Sequence, residues 1–594
     1  MFNVEFLYNI TVSESILSNA VILPEVHMKT SDLILLRPFQ TRNADEFLDE
    51  NILELFVDPT NGVAGPFDYC NEIVKGKMGT GKTMYLRANY IYHLSVLVPQ
   101  MIDSAPPLIL PLYVKLSDFQ NIHEAEKIYD NILIRLIYEM LNTCDKLQSA
   151  SELVKLHEGI QNNMFGMWLS RVSQKPIIDK LNKLTAEEYT QQVKTELSTQ
   201  GTIGNSFLQA CSAYGKTNFI ELKKKDRPQI SDVIFAYESL LQPINCKLLI
   251  LFDEVGSIDK SFFEEHGGAS YFETLMNQLR TLDFVRTKIA IYPHTFADIL
   301  TETRYGDVVT LEDDIYTPDG YITFQNKTIS IAEKYLTSAA SHQVSIESVF
   351  DVSQDNMQLL EQLIYASDGN MRRLVQLFDS TLNECYKRSK ATDRANIADA
   401  IAAIKNQAFQ MEHLYYGDDL DFLHTLTAVC KKRTAYRFKF PNKSPILLKY
   451  TNKSSEYNIL KIKELGTGRR GTTYWFDYSY CLYTDIPTHY QYNSERIARS
   501  RSKDEGNWIT TVTRITDELI VQANLPGKID GTISYLNAEK TAGFISDGTR
   551  NDYFFTTGYI IASDKGTHLT VKRKVRFFPV PLDKSMTARE IELL

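Results

Sequence analysis

The chain has 594 residues, 43% of them hydrophobic and 23% charged, and its 64 Lys and Arg against 74 Asp and Glu give a formal net charge of −10. At roughly 100–200 residues per domain this predicts three to five domains, and the ordinary balance of apolar and charged residues excludes a wholly disordered or collagen-like chain. No run approaches the ~18 apolar residues of a membrane span, and the N-terminal MFNVEFLYNITVSES has neither the basic nor the apolar region of a secretory signal, so the reading is of a cytoplasmic protein with no membrane partner.

Residues 1–50 read as an N-terminal segment. From about 51 to 326 short apolar runs alternate with amphipathic stretches. Asn71–Lys75, Leu110–Lys115, Lys247–Phe252 and Lys288–Pro293 read as strands, with helical patterns such as Ile128–Leu141 between them. The third and fourth runs are apolar almost throughout, as parallel strands covered on both faces are. Strands alternating with helices predict an α/β layered core. A long polar stretch, about 147–244, reads as a helical insertion into that core. Residues 327–412 carry helical patterns and no strand. A basic domain follows over 413–490, a polar linker over 491–525, a β-patterned module over 526–582 and a short tail over 583–594. The seven cysteines (Cys70, Cys144, Cys211, Cys246, Cys385, Cys430 and Cys481) are scattered, without a C-x-x-C pair or clustered histidines. They read as free thiols rather than a zinc site or a disulfide framework.

The strongest local signal is Gly76-Lys77-Met78-Gly79-Thr80-Gly81-Lys82-Thr83, which fits G-x-x-x-x-G-K-[ST]. The glycines permit a tight loop whose amides point at phosphate oxygens. Lys82 brings positive charge to the β- and γ-phosphates and the Thr83 hydroxyl a ligand for Mg²⁺. The helix opening at Met84 adds its N-terminal dipole. An apolar strand precedes the loop, as this motif requires. The second signal is Leu248-Leu249-Ile250-Leu251-Phe252-Asp253-Glu254, which delivers two carboxylates to the C-terminal edge of a strand, where open α/β sheets bind ligands. Asp253 is placed to hold Mg²⁺ and Glu254 to orient or deprotonate an attacking water. Together the two signals imply an ATP site with a magnesium ion.

The Asp-Glu pair resembles the Walker B motif of AAA+ ATPases, and two further places fit that family. The strand Lys288–Pro293 runs into His294-Thr295, where the family keeps a polar sensor of the γ-phosphate. Gly369-Asn370-Met371-Arg372-Arg373 opens a helix whose Met371, Leu374, Val375 and Phe378 make one apolar stripe. Its arginines lie off that stripe and resemble the second sensor of AAA+ lids, with Arg372 the better match. The likeness is nearest to the origin-recognition and helicase-loader branch and covers roughly residues 40–410. It implies a P-loop NTPase αβα core with a helical lid over 327–412, followed by a winged-helix-like domain. Thr83 and Asp253 stand farther apart in sequence than a compact AAA+ core needs, because of the insertion. Arg304 is a candidate arginine finger acting in trans.

Between Lys431 and Trp475 there are 12 Lys and Arg against 2 Asp and Glu, a local charge of +10, so the rest of the chain carries −20. Asp418–Cys430 reads as a short helix. Asn458–Leu465 and Tyr474–Ile486 read as strands joined by Gly466-Thr467-Gly468-Arg469-Arg470-Gly471-Thr472-Thr473, a hairpin whose tip resembles the wing of a winged helix. Arg469 and Arg470 would reach phosphates or a minor groove; the alternative is a hairpin packed on the ATPase. Farther on, Gly531–Phe577 resembles a cold-shock domain, an OB-type five-stranded β-barrel. The likeness implies that Tyr535, Phe544 and Phe554 stack nucleobases, with Lys540 and the run from Lys572 and Arg573 meeting the backbone. Ala542 and Thr556 stand where that family has an aromatic and a histidine, so a protein-interaction barrel stays open.

Two functions are compatible with these residues. One is a magnesium-dependent AAA+ ATPase, slow or fast, that works as a switch coupling nucleotide state to DNA or RNA binding, in which Lys82, Glu254 and Arg372 act on the phosphates. The other is a nucleotide-gated interaction ATPase, of the kind found in bacterial defence complexes, in which ATP drives assembly with a protein effector or with further copies of the chain. Composition distinguishes neither DNA from RNA nor the oligomeric state.

Overall fold

The computed structural model describes residues 29–59, 65–103, 108–153, 228–264, 268–292, 305–352, 357–432, 435–440, 447–451, 457–466, 471–486, 512–514, 528–538, 540–549, 552–557, 560, 564, 569–582 and 585–594. The chain divides into two compact units: residues 1–313, 323–349 and 369–379, and residues 314–322, 350–368 and 380–594.

In the first unit, α1 (Thr30–Leu35) and α2 (Asp49–Leu55) precede the alternation β1 (Glu72–Lys75), α3 (Lys82–Asp103), β2 (Leu108–Lys115), α4 (Ala125–Leu153), α5 (Ile230–Leu240), β3 (Cys246–Asp253), α6 (Tyr271–Arg280), β4 (Val285–Ile291) and β5 (Asp307–Thr310). The five strands form one parallel sheet in the order β2-β3-β4-β1-β5. The interior strand β3 is buried along nearly its whole length, which is why its sequence is almost uninterrupted Leu and Ile with no polar alternation. Side chains from β1 to β4 and from α3, α4, α5 and α6 share one apolar core. β5 was not foreseen; three of its four residues are exposed, so the apolar run that announces a covered strand is absent. Most of the expected insertion, residues 154–227, lies outside the described residues; α4 runs into it and α5 follows it.

Four helices follow: α7 (Pro318–Ala340), α8 (Gln358–Ser367), α9 (Met371–Ser389) and α10 (Ile397–Glu412). α7 from Thr323 and α9 as far as Asp379 belong to the first unit. A strap of residues 37–47 binds to them. Phe39, fully buried, stacks between the rings of Tyr335 at 5.6 Å and Phe378 at 5.0 Å. Arg37 and Arg42 both pair with Asp379, at 3.3 and 3.1 Å. The other end of the strap is fixed to α3, where Arg87 donates to the carbonyls of Ala44 and Phe47 and pairs with Asp49 at 2.6 Å.

The second unit continues with α11 (Asp418–Lys432), β6 (Arg437–Phe440), α12 (Leu448–Thr451), β7 (Leu460–Glu464), β8 (Thr472–Phe476), α13 (Tyr478–Thr484) and β9 (Val512–Arg514). A sheet in the order β7-β8-β6-β9 results, with β7 and β8 an antiparallel hairpin. The strand expected over Tyr474–Ile486 is therefore two elements. It stops at Phe476, and Asp477 caps a helix by accepting the Ser479 amide at 2.9 Å. An aromatic run of that length does not by itself separate strand from helix. The last module is β10 (Ile529–Leu536), β11 (Ala542–Ser546), β12 (Asp552–Thr556), β13 (Lys574–Leu582) and β14 (Ser585–Leu593), closed into a barrel in the order β10-β11-β12-β14-β13. Residues 585–593, read as a tail, are its fifth strand, antiparallel to β13 and parallel to β12.

Candidate active site

The sheet fixes where chemistry can occur. The chain leaves β1 for β2, past β4 and β3, and leaves β4 for β5, on the other side of β1. The direction of winding reverses there, and in open α/β sheets the crevice at the C-terminal strand ends beside such a reversal is the ligand site. The Gly76–Thr83 loop joins β1 to α3 at that edge, and Asp253 ends β3 at the same edge, in register with Lys115 of β2. A cavity of about 280 Å³ opens there, close to the low end of small-molecule sites at ~300–1,000 Å³. Met78, Gly79, Thr80, Gly81, Lys82, Thr83, Met84, Asp253, Glu254 and Arg372 all line it. Residues 290 apart in sequence thus share one wall. Further lining comes from the strap, at Arg42, Ala44, Asp45 and Phe47, from Leu55, Phe56 and Val57, and from Lys327, Ile331 and Tyr335 of α7.

Lys82 is buried, its ammonium donating to the carbonyls of Gly76 at 2.6 Å and Lys77 at 2.7 Å, with the Tyr292 ring centroid 4.1 Å away. Burial pulls its pKa down to about 8, against the opposing pull of Asp253 and Glu312, while the charge of Arg372 pushes the same way as burial. Asp253 is buried more deeply. Its carboxylate accepts from the Tyr113 hydroxyl at 2.6 Å, from the Glu254 amide at 2.8 Å and from the Thr83 hydroxyl. Burial raises its pKa and those hydrogen bonds resist the rise. Glu254 follows in the left-handed region at φ 56° and ψ 38°, a conformation costing a non-glycine residue on the order of 1–3 kcal/mol and concentrated at functional sites. Its carboxylate stays partly exposed, with Lys115 Nζ at 3.6 Å from Oε1.

A hydroxyl and a carboxylate in mutual contact are the donor set a hard, oxygen-seeking divalent cation takes up, so the Thr83 and Asp253 pair fits Mg²⁺. The residues that sequence reasoning missed are the polar ones around this pair: Tyr113 and Lys115 at the end of β2, Asp45 of the strap at 3.2 Å from Lys115 Nζ, and Asn370 of α9. A polar alternation closing an otherwise apolar strand was the available signal for the first two; Asp45 carried none. Arg373, paired with Arg372 in the reading, is buried rather than lining the cavity. His294, Thr295 and Arg304 lie outside the described residues.

The barrel carries a second candidate surface. Tyr535 of β10, Phe544 of β11 and Phe554 of β12 are cross-strand neighbours, with ring centroids 6.4 and 5.7 Å apart. Tyr535 is 56% and Phe544 40% exposed, an unusual exposure for large rings unless they serve a contact. Lys540, between Tyr535 and Phe544 in sequence, and Lys572, just before β13, are exposed, both at positive φ. Arg573 is half-buried, and Arg576 is paired with Asp530 at 2.6 Å. Ala542 and Thr556 face each other across β11 and β12, so the two positions without a stacking group form one patch. In the basic segment, Lys431 pairs with Asp485, Lys449 with Asp419, and Lys461 with Asp368 and Asp477. The linear count of +10 therefore overstates the field, since acids from outside the segment neutralise part of it. Arg469 and Arg470 lie outside the described residues.

No protein-family model matches the chain, and no curated protein matches it.

Proposed function

We propose that the chain is a magnesium-dependent ATP phosphohydrolase of the AAA+ type, working as a switch whose nucleotide state governs binding of DNA or RNA. The observation that carries this is the convergence of Lys82, Thr83, Asp253, Glu254 and Arg372 on one cavity at the C-terminal edge of a parallel sheet.

In this reading the loop amides and Lys82 bind the phosphates, and Thr83 and Asp253 hold the metal. Bound magnesium would neutralise charge on the phosphate oxygens. Glu254, partly exposed and in its strained backbone conformation, orients a water and accepts its proton. Arg372 offers positive charge to the γ-phosphate end. Ala44, Phe47, Leu55, Phe56 and Ile331 among the lining residues supply apolar surface for a base. The aromatic row of the barrel would stack single-stranded bases, at about 1–3 kcal/mol each.

Phosphate release tests the reading. The parent is expected to release phosphate only with Mg²⁺. Glu254→Gln should keep nucleotide affinity and lose turnover by about 10²- to 10⁴-fold, the usual worth of a general base. Unchanged turnover in that variant would refute the assignment. One observation favours the second reading, a nucleotide-gated assembly ATPase: the contiguous Ala542 and Thr556 patch weakens the barrel as a base-stacking surface. A change in particle size with ATP, without salt-sensitive nucleic-acid binding, would select it.

A further inference from the structure

The carbonyl oxygens of the phosphate loop are accounted for one by one. Gly76 O and Lys77 O accept from Lys82 Nζ at 2.6 and 2.7 Å, and Lys77 O also accepts from the Thr80 hydroxyl at 2.9 Å. Met78 O accepts from the Asn370 side-chain amide at 2.8 Å. Gly79 O accepts from the backbone N–H of Arg372 at 3.2 Å. Four consecutive carbonyls are held, the first two by the loop's own residues and the last two by the start of α9.

A trans peptide is planar, and its carbonyl and the following N–H point in opposite directions. Fixing Met78 O therefore fixes the direction of the Gly79 N–H, and fixing Gly79 O that of the Thr80 N–H. The approach is close. Gly79 sits at φ 83°, and a Cβ there would fall 2.3 to 2.7 Å from the Asn370 amide group. Asn370 is itself buried and has a second bond, its Oδ1 accepting the Arg373 amide at 3.0 Å as the N-cap of α9.

We infer that Asn370 is a positioning residue for the phosphate cradle: through Met78 O it orients the loop amides, so the loop presents its full set of donors only while the start of α9 is docked on it. This rests on the ATP-site reading above and adds a second route by which α9 senses nucleotide. The Arg372 side chain reports on the γ-phosphate, whereas the Asn370 contact acts on the part of the loop that cradles the α- and β-phosphates. The Arg372 route therefore distinguishes ATP from ADP, whereas the Asn370 route acts on both nucleotides alike.

Equilibrium titration of the full chain with Mg·ADP and with Mg·ATP separates them. Asn370→Ser keeps an N-cap oxygen for the Arg373 amide but is too short to reach Met78 O. It is expected to weaken both nucleotides by the same factor, about three- to tenfold, the worth of one hydrogen bond. Arg372→Ala keeps its backbone N–H on Gly79 O and should weaken ATP more than ADP. Thermal melting accompanies each titration, and Asn370→Thr, a neutral cap of the same reach, replaces the serine variant if that one does not fold. Equal affinities in Asn370→Ser and the parent, or a loss confined to ATP, would overturn the inference. A parent that binds neither nucleotide would remove the ATP-site reading itself, and the cradle with it.

Discussion

Lys82 is the residue on which the proposed phosphate site turns, and its environment predicts a pH dependence. Buried against the Tyr292 ring, it has a pKa pulled down to about 8. A phosphate anion favours the ammonium over the neutral amine. Affinity should thus be full below pH 8 and should fall as pH rises through that value, by up to tenfold per pH unit, until the bound-state pKa is reached. Titrating Mg·ADP at pH 7.0 and 9.5 reads this directly, and a flat profile would show that the ammonium does not meet the phosphates. The acidic partners behave differently. Asp253 is held by Tyr113, Thr83 and the Glu254 amide, an orientation suited to metal binding, while Glu254 keeps an exposed edge and pairs with Lys115 at 3.6 Å. Two adjacent carboxylates, one buried and tightly bonded and one half-open, thereby differ in the way the proposed function needs for a metal ligand and a base. Their place at the cavity was readable because both sit at the end of an apolar strand. Tyr113, Lys115, Asp45 and Asn370 were not, because each meets a partner 70 to 292 positions away, and local periodicity carries no information at that range.

Among elements, the strap over residues 37–47 joins α3 to the helices flanking the cavity. Its anchor is Phe39, fully buried between two aromatic rings. Phe39→Ala is expected to destabilise the first unit by about 3–5 kcal/mol. Because Arg42, Ala44, Asp45 and Phe47 line the cavity, it should also weaken nucleotide binding. Denaturant unfolding with and without ADP checks both, and an unchanged midpoint would mean the strap is dispensable. The sequence announced this element poorly, since TRNADEF has no periodicity and its function depends on ion pairs to Asp379. The buried strands were legible for the opposite reason: coverage on both faces gives β3 the unbroken run Leu248–Phe252 and ends β4 in Ile289-Ala290-Ile291. β5 and β14 were missed, one largely exposed, the other contributing a barrel strand in which, among the described side chains, Ala588 and Ile591 are fully buried. At Tyr474–Ile486 burial alone could not assign the element; the Asp477 cap was the signal that separates strand from helix.

On the scale of the whole molecule, one chain carries a cavity lined by the glycine-rich Gly76–Thr83 loop, a four-stranded sheet and a closed barrel with exposed aromatics. An acidic net charge of −10 does not exclude a nucleic-acid partner, because binding depends on local fields. In the basic segment that field is reduced by its pairing with Asp368, Asp419, Asp477 and Asp485. The account as a whole stands on a triphosphate with its magnesium binding between the Gly76–Thr83 loop and the Asp253-Glu254 pair. Calorimetric titration of the full chain with a non-hydrolysable Mg·ATP analogue tests it most directly, with Lys82→Ala as the comparison. Saturation at one nucleotide per chain, with affinity reduced at least about 100-fold in the variant by loss of a buried charge partner, is the predicted result. No saturable heat at millimolar analogue, or equal affinity in the parent and in Lys82→Ala, would contradict it.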